Sequence, residues 1–332
     1  MNKRVVVFGG GTGLSCLLKG LKEFPLDITA VVSVCDDGGS AGRLRDEFDT
    51  VAMGDLRRVL VAMSNEESTL DKVFNYRFTK GDLKGHTVGN IFLTGQTMIS
   101  GSVQKAIEDL NNVFSLRGKV LPFTEDRVIL MSEMTDGSIV EGEHNITESP
   151  KVIKRVFYKE EPDVNDELEQ EIREADMVVL SMGSLFTSVI PNLLSKEVIA
   201  AIDDSDAKLV YCCNLFTQPG ETDNYKVSDH IKTLNSYLGK KKIGYVIANG
   251  NEIDPELVKK YADKEQKDPV ELDYDETKKL DVSVISDNNL LYVDDGRLRH
   301  DYMKLGYLIY SIALSYETML NNRYSRIRKI KQ

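Results

Sequence analysis

Near its start the chain carries an unbroken apolar run, Val5-Val6-Val7-Phe8, then a cluster of glycines, then apolar residues at helical spacing over 14–21. A second run without polar alternation covers 28–35. Strands buried on both faces of a parallel sheet read this way. Strand, glycine turn, helix and strand therefore predict one right-handed crossover unit. Helical periods follow over 55–63, 68–78 and 88–113, the last with Val88, Phe92, Met98, Val103 and Ile107 on its apolar positions.

The pattern then shortens. Over 119–160 the apolar runs are brief, and 128–131 and 138–140 flank Thr135-Asp136-Gly137, a hairpin turn signal; this stretch reads as a strand-rich insertion. Alternation of strand and helix resumes with an acidic helix over 165–174, a strand over 177–180, helices over 188–202, and strands over 208–213 and 243–248. The charged stretch 252–280 predicts helix and loop wrapped on the core, followed by strands over 282–285 and 290–293 and a closing helix over 302–321. No repeat or low-complexity linker divides the chain. The expectation is an α/β protein with a doubly wound, mostly parallel, Rossmann-like sheet, one domain over 1–322, and a basic tail over 323–332 that reads as a solvated helix end.

Composition narrows the function. The chain of 332 residues holds 42 Lys and Arg against 53 Asp and Glu, a net charge of -11, which argues against a non-specific grip on nucleic acid or anionic lipid. Residues 1–4 lead straight into the first strand, so no targeting segment is expected, and no run approaches the ~18 apolar residues of a membrane span. Cys16, Cys35, Cys212 and Cys213 form no C-x-x-C pair, and His86, His144, His230 and His300 are scattered. A cytoplasmic protein without a transition-metal centre is expected.

The candidate chemistry lies in glycine-rich turns. Gly9-Gly10-Gly11-Thr12-Gly13-Leu14-Ser15 follows a buried strand and opens a helix, where main-chain N–H groups and the helix dipole hold phosphate. Its spacing departs from the dinucleotide fingerprint, because Leu14 or Cys16 stands where the third glycine belongs. Asp36 and Asp37 end the second run at the place of a ribose-binding acid, which keeps NAD as an alternative ligand. They fit equally a Mg²⁺ held against phosphates, with Asp37 as the metal ligand, or turn caps. Gly38-Gly39-Ser40 with Arg43 makes a second phosphate seat. Asp55 reads as a helix N-cap, and His86, Thr87 and Asn90 open another helix. Two more polar turns follow buried strands: Gly183-Ser184-Leu185 with Thr187, and Asn214 with Thr217. Turns beyond the carboxyl ends of strands point to one shared cleft. Ser40 and Ser184 lack a nucleophile elbow, no P-loop signature is present, and nothing advertises a nucleophile or general base, which favours binding over catalysis.

The ordered set Gly9 to Ser15, Asp36-Asp37-Gly38-Gly39-Ser40 with Arg43, Gly54-Asp55-Leu56-Arg57, Gly85-His86-Thr87-Val88-Gly89-Asn90, and Asn214 with Thr217-Gln218-Pro219-Gly220-Glu221-Thr222 resembles the YvcK-type gluconeogenesis factors, also called GlmR, within the larger CofD-like group. Ala52-Met53 and Arg58 depart from the proline pair and the asparagine of that pattern. The resemblance implies a CofD-like fold and a cytoplasmic bacterial protein. It further implies a protein that binds UDP-N-acetylglucosamine without established turnover, links carbon metabolism to cell-wall precursor supply and cell shape, and works with a cell-wall precursor enzyme as partner. It leaves homo-oligomerisation open. It brings in Tyr261 and Arg297 from the late segment as nucleotide contacts. The other branch of the group implies a Mg²⁺-dependent 2-phospho-lactate transferase.

Overall fold

The computed structural model describes residues 2–65, 67–287, 290–294 and 297–314. β1 (Lys3–Gly9), α1 (Gly11–Leu21) and β2 (Leu26–Val32) form the predicted crossover, with Val5 to Phe8 at most 1% exposed. Next come α2 (Gly39–Phe48), α3 (Met53–Met63), α4 (Glu67–Phe74), α5 (Val88–Ser100), α6 (Val103–Phe114) and β3 (Lys119–Pro122). The single helix expected over 88–113 is two. Gly101 ends α5 in the left-handed region at φ 85°, and the Ser102 hydroxyl accepts the Lys105 N–H to start α6. The apolar spacing runs through the break but not all of it is core, since Phe92 and Met98 are exposed.

β3 pairs in parallel with β2, so the insertion begins only after Pro122. It contains β4 (Leu130–Met134), β5 (Ile139–Glu141), α7 (Glu143–Glu148) and β6 (Ile153–Tyr158), with the three strands in an antiparallel sheet of order β5-β4-β6. α8 (Leu168–Arg173) leads to β7 (Met177–Leu180). The helices expected over 188–202 begin earlier, as a π-helical turn (Leu185–Val189), a 3-10 turn (Ile190–Leu193) containing Pro191, and α9 (Lys196–Asp204). β8 (Lys208–Cys212), α10 (Val227–Tyr237), β9 (Tyr245–Ile247), α11 (Pro255–Glu265), α12 (Tyr274–Lys278) and β10 (Ser283–Ile285) complete the main layer. A hairpin of β11 (Leu291–Asp294) and β12 (Arg297–His300) precedes α13 (Tyr302–Ala313). The remainder of the closing helix and the basic tail lie outside the described residues.

The main sheet is seven-stranded and wholly parallel, in the order β10-β9-β8-β7-β1-β2-β3. The chain winds outward from β1 through β2 to β3, then returns to the other side of β1 at β7 and winds the opposite way. Between β1 and β7 the connections therefore leave in opposite directions. A crevice opens there beyond the carboxyl ends of the strands, the position at which wound sheets bind ligands.

Candidate functional site at the strand switch point

A cleft of about 470 Å³ occupies that crevice, within the ordinary size of a small-molecule site. Its floor is the turn after β1, Gly10 to Gly13, against the turn after β7, Met182 to Ser184. α1 begins at Gly11, whose φ of 59° requires glycine, and its N-cap, Gly10, has no side chain to cap the first turn. First-turn amides have no partner inside their own helix. The Asp55 carboxylate accepts the Gly11 N–H, and Thr12 and Gly13 border the cleft. The glycines also have packing reasons. A Cβ on Gly13 would sit 1.7 Å from the Met182 carbonyl oxygen, and one on Gly10 would meet the Asp55 carboxylate at 2.6 Å. Leu14 is core and the Ser15 hydroxyl donates to the Thr12 carbonyl at 3.1 Å, so these two shape the turn without facing the cleft.

The opposite wall comes from the turn after β8 and from segments far along the chain. Phe216 and Tyr261 stack with ring centroids 4.1 Å apart and an interplanar angle of 24°. Tyr261, which spacing alone would leave on a helix surface, is buried, and its hydroxyl accepts the Leu298 N–H at 2.9 Å. Thr217 latches the segment after α11, its N–H donating to the Asp268 carbonyl and its hydroxyl accepting the Asp268 N–H at 3.0 Å. Asn214 donates to the Gly183 carbonyl at 2.8 Å, joining the β8 turn to the β7 turn. Positive charge enters through Lys267 and Arg299. Arg297, the expected cation, is exposed and outside the lining; it is the first residue of β12, and Arg299, two residues further along the strand on the same face, borders the cleft. Buried His300 also borders it, its imidazole pushed down to about 4 by burial.

Behind Ser184 lies Glu221, 2% exposed. It accepts the Ser184 hydroxyl at 2.6 Å and the Gln218 side-chain amide at 2.6 Å. Ser184 in turn accepts the Thr187 hydroxyl at 2.7 Å, whereas Leu185 turns into the core. Burial raises the Glu221 carboxyl from 4.5 to about 7, against hydrogen bonds from Ser184 and the Phe186 N–H. A carboxyl raised in the folded state takes up a proton on folding, so it makes stability fall as pH rises from about 4.5 to about 7 and adds no further slope above. Glu221→Gln is expected to remove its share of that slope. Denaturation midpoints at about pH 5 and about pH 8 check this; an unchanged slope contradicts it.

On the β2 side of Gly11 a second, smaller cavity of about 220 Å³ is lined by Gly11, Ser33, Asp36, Asp55, Arg58, Glu143, Thr187 and Ser188. Gly11 and Ser188 border both spaces. Asp55 lies within the first turn of α3, whose N-cap is Ala52, so it is not the cap it resembles; it pairs with Arg58 at 2.8 Å. Burial raises the Asp55 and Asp36 carboxyls, with Arg58 opposing in both cases. Glu143 is raised to about 7 by burial and by the Asp36 charge, against hydrogen bonds from Thr187 and Thr147.

Asp36 and Asp37 lie past the end of β2 and diverge. Asp36 faces the small cavity, while Asp37 accepts the N–H groups of Glu143 at 3.1 Å and His144 at 2.8 Å, capping α7 away from either space. The second glycine turn and its neighbours form a separate buried knot. The Ser40 hydroxyl lies 3.1 Å from His86 Nδ1 and accepts the Asn90 amide at 3.3 Å, and Arg57 donates to Thr87 at 2.6 Å and Asn90 at 3.1 Å. Sequence did not pair Ser40 with His86; both are buried and neither borders either of these two cavities. Gly38 and Gly39 start α2, and exposed Arg43 donates to the Lys84 carbonyl at 3.0 Å; none of the three borders either cavity. Phe216, Lys267, Arg299 and Glu143 are among the lining residues that sequence reasoning missed.

Residues 5–290 match the family model described as 2-phospho-L-lactate transferase CofD. A gluconeogenesis factor of Halalkalibacterium halodurans is 47% identical over 306 residues, covering 91% of this chain and 94% of that protein. The gluconeogenesis factor of Bacillus subtilis is 44% identical over 308 residues, covering 92% and 96%. A crystal structure of a member of the UPF0052 family from Bacillus halodurans is similar with a TM-score of 0.89 at 45% identity, covering 93% of this chain and 99% of that one.

Proposed function

The chain belongs to the CofD family, within its gluconeogenesis-factor group, and from this premise we propose that it is a cytoplasmic UDP-sugar-binding regulator, with UDP-N-acetylglucosamine as ligand. The observation that carries the proposal is the cleft itself. A helix N-terminus suited to an anion and an aromatic pair suited to a base line one cleft, and Lys267, which also pairs with Glu265 at 2.9 Å, and Arg299 line it too as diphosphate counter-charges. The pyrophosphate lies at Thr12 and Gly13, the uracil against Phe216 and Tyr261, and Asn214 and Gln218 offer polar groups to the nucleoside. Filling the cleft ties the β1, β7 and β8 turns to α11 and β12, which changes the surface offered to a cell-wall precursor enzyme and couples carbon supply to cell shape.

A transferase with Mg²⁺ is the second reading, carried by the family description. Asp37 is engaged by main-chain N–H groups, Asp36 accepts the Gly38 N–H at 3.0 Å, and among the described residues no three His, Cys, Asp or Glu side chains converge to hold a metal. The Ser40–His86 pair opens onto neither cavity. Among the described residues no single helix is long and apolar enough to cross a membrane.

Melting curves with UDP-N-acetylglucosamine, UDP and NAD test the regulator reading. Ligand at ~100 times its Kd adds about 2.7 kcal/mol to the native state, so both uridine nucleotides are expected to raise the Tm and NAD to leave it in place. A shift with NAD and none with the uridine nucleotides contradicts it.

A further inference from the structure

Glu221 is 2% exposed and outside the lining of the large cleft, yet two residues that do line it, Ser184 and Gln218, both donate to its carboxylate. The Ser184 hydroxyl reaches Oε2 at 2.6 Å, the Gln218 side-chain amide reaches Oε1 at 2.6 Å, and the Phe186 N–H adds a third donor. An ionised carboxylate only accepts. It therefore fixes which end of the Gln218 amide faces it, Nε2 inward and the carbonyl oxygen turned away.

The Gln218 main chain is held as well. Its N–H donates to the Thr222 hydroxyl at 2.9 Å, and its carbonyl accepts the N–H groups of Glu221 at 3.1 Å and Thr222 at 2.9 Å. The side-chain oxygen accepts no hydrogen bond among the described residues and is not buried. A carboxamide nitrogen carries two N–H groups, so with one on Glu221 the other lies on the same edge as the free oxygen. That edge offers an acceptor beside a donor. Uracil presents the complement, its N3–H beside the O4 acceptor. Cytosine presents the reverse, a bare N3 beside an amino donor, and is matched only by a turned amide whose oxygen then faces the Glu221 carboxylate.

Resting on the UDP-sugar reading, we infer that Gln218 reads the edge of the base and that Glu221 is the positioning residue that locks this amide for uracil against cytosine. Phe216 lies two residues earlier in the same turn and also lines the cleft, so one segment supplies a ring for the face of the base and an amide for its edge.

Calorimetric titration of UDP and of CDP into the wild type, Gln218→Ala and Glu221→Gln tests it, at about pH 8 so that the Glu221 carboxyl, raised by burial to about 7, is ionised. The wild type is expected to bind UDP roughly 10-fold or more tighter than CDP, because the wrong base leaves polar groups facing their like. In Gln218→Ala, UDP is expected to weaken to about the affinity of CDP. The new amide in Glu221→Gln both donates and accepts, which frees the Gln218 amide to turn. Its preference is expected to shrink to within about threefold because CDP binds more tightly, a gain that loss of structure does not produce. Equal binding of UDP and CDP by the wild type, an undiminished preference in either variant, or equal loss of both nucleotides in both variants overturns the base reader and leaves the nucleotide cleft in place. If neither compound binds the wild type, the UDP-sugar reading falls and the base reader falls with it.

Discussion

Gly13→Ala is expected to lower the stability of the protein by about 3 kcal/mol or more, the upper range for forcing a side chain into filled space. The neighbour it meets is backbone, the Met182 carbonyl 1.7 Å from the added carbon, and cannot rotate away. To make room, the start of α1 must separate from the turn after β7, which opens the switch point and removes the anion seat together with the fold's tightest central contact. Gly95→Ala is the control: it sits inside α5 with open space around its Cβ, and is expected to gain roughly 0.5–1 kcal/mol in helix propensity. Chemical denaturation of both variants checks the pair. A Gly13→Ala protein as stable as the wild type would mean that α1 and β7 do not approach as described.

Tyr261→Ala is expected to weaken UDP binding roughly 5- to 150-fold, the ~1–3 kcal/mol that base stacking on an aromatic ring contributes. Removing the ring also strips Phe216 of its partner and leaves the Leu298 N–H without its acceptor. Tyr261→Phe separates these effects, since the ring remains and only the hydroxyl is lost, and it is expected to bind UDP within about threefold of the wild type. Titration calorimetry measures both. Undiminished binding in Tyr261→Ala places the base elsewhere.

The central crossover was legible because its signals are local. Val5 to Phe8 lack polar alternation since both faces of β1 are covered, and the glycines after it mark a close approach whether or not a ligand comes. Polar turns at the ends of β1, β7 and β8 were legible for the same reason, each being a few contiguous residues. What failed depended on direction. Asp36 and Asp37 are adjacent and chemically alike, yet one faces a cavity and the other caps α7, because α7 arrives from an insertion more than a hundred residues later. Arg297 and Arg299 leave the same side of β12 and differ in their place along it, which decides that only Arg299 borders the cleft and which spacing does not fix in advance. Glycine at the first turn was read as a ligand signal, and the structure adds reasons of its own: a Cβ on Gly13 would enter the Met182 backbone, and Gly11 is left-handed.

The most direct measurement is a crystal structure of the protein grown with UDP-N-acetylglucosamine. The expected density places the pyrophosphate at the amino end of α1 between Thr12, Gly13 and Gly183, with uracil against Phe216 and Tyr261. Density for the nucleotide at any other surface, with the turn between β1 and α1 left without phosphate, contradicts the account.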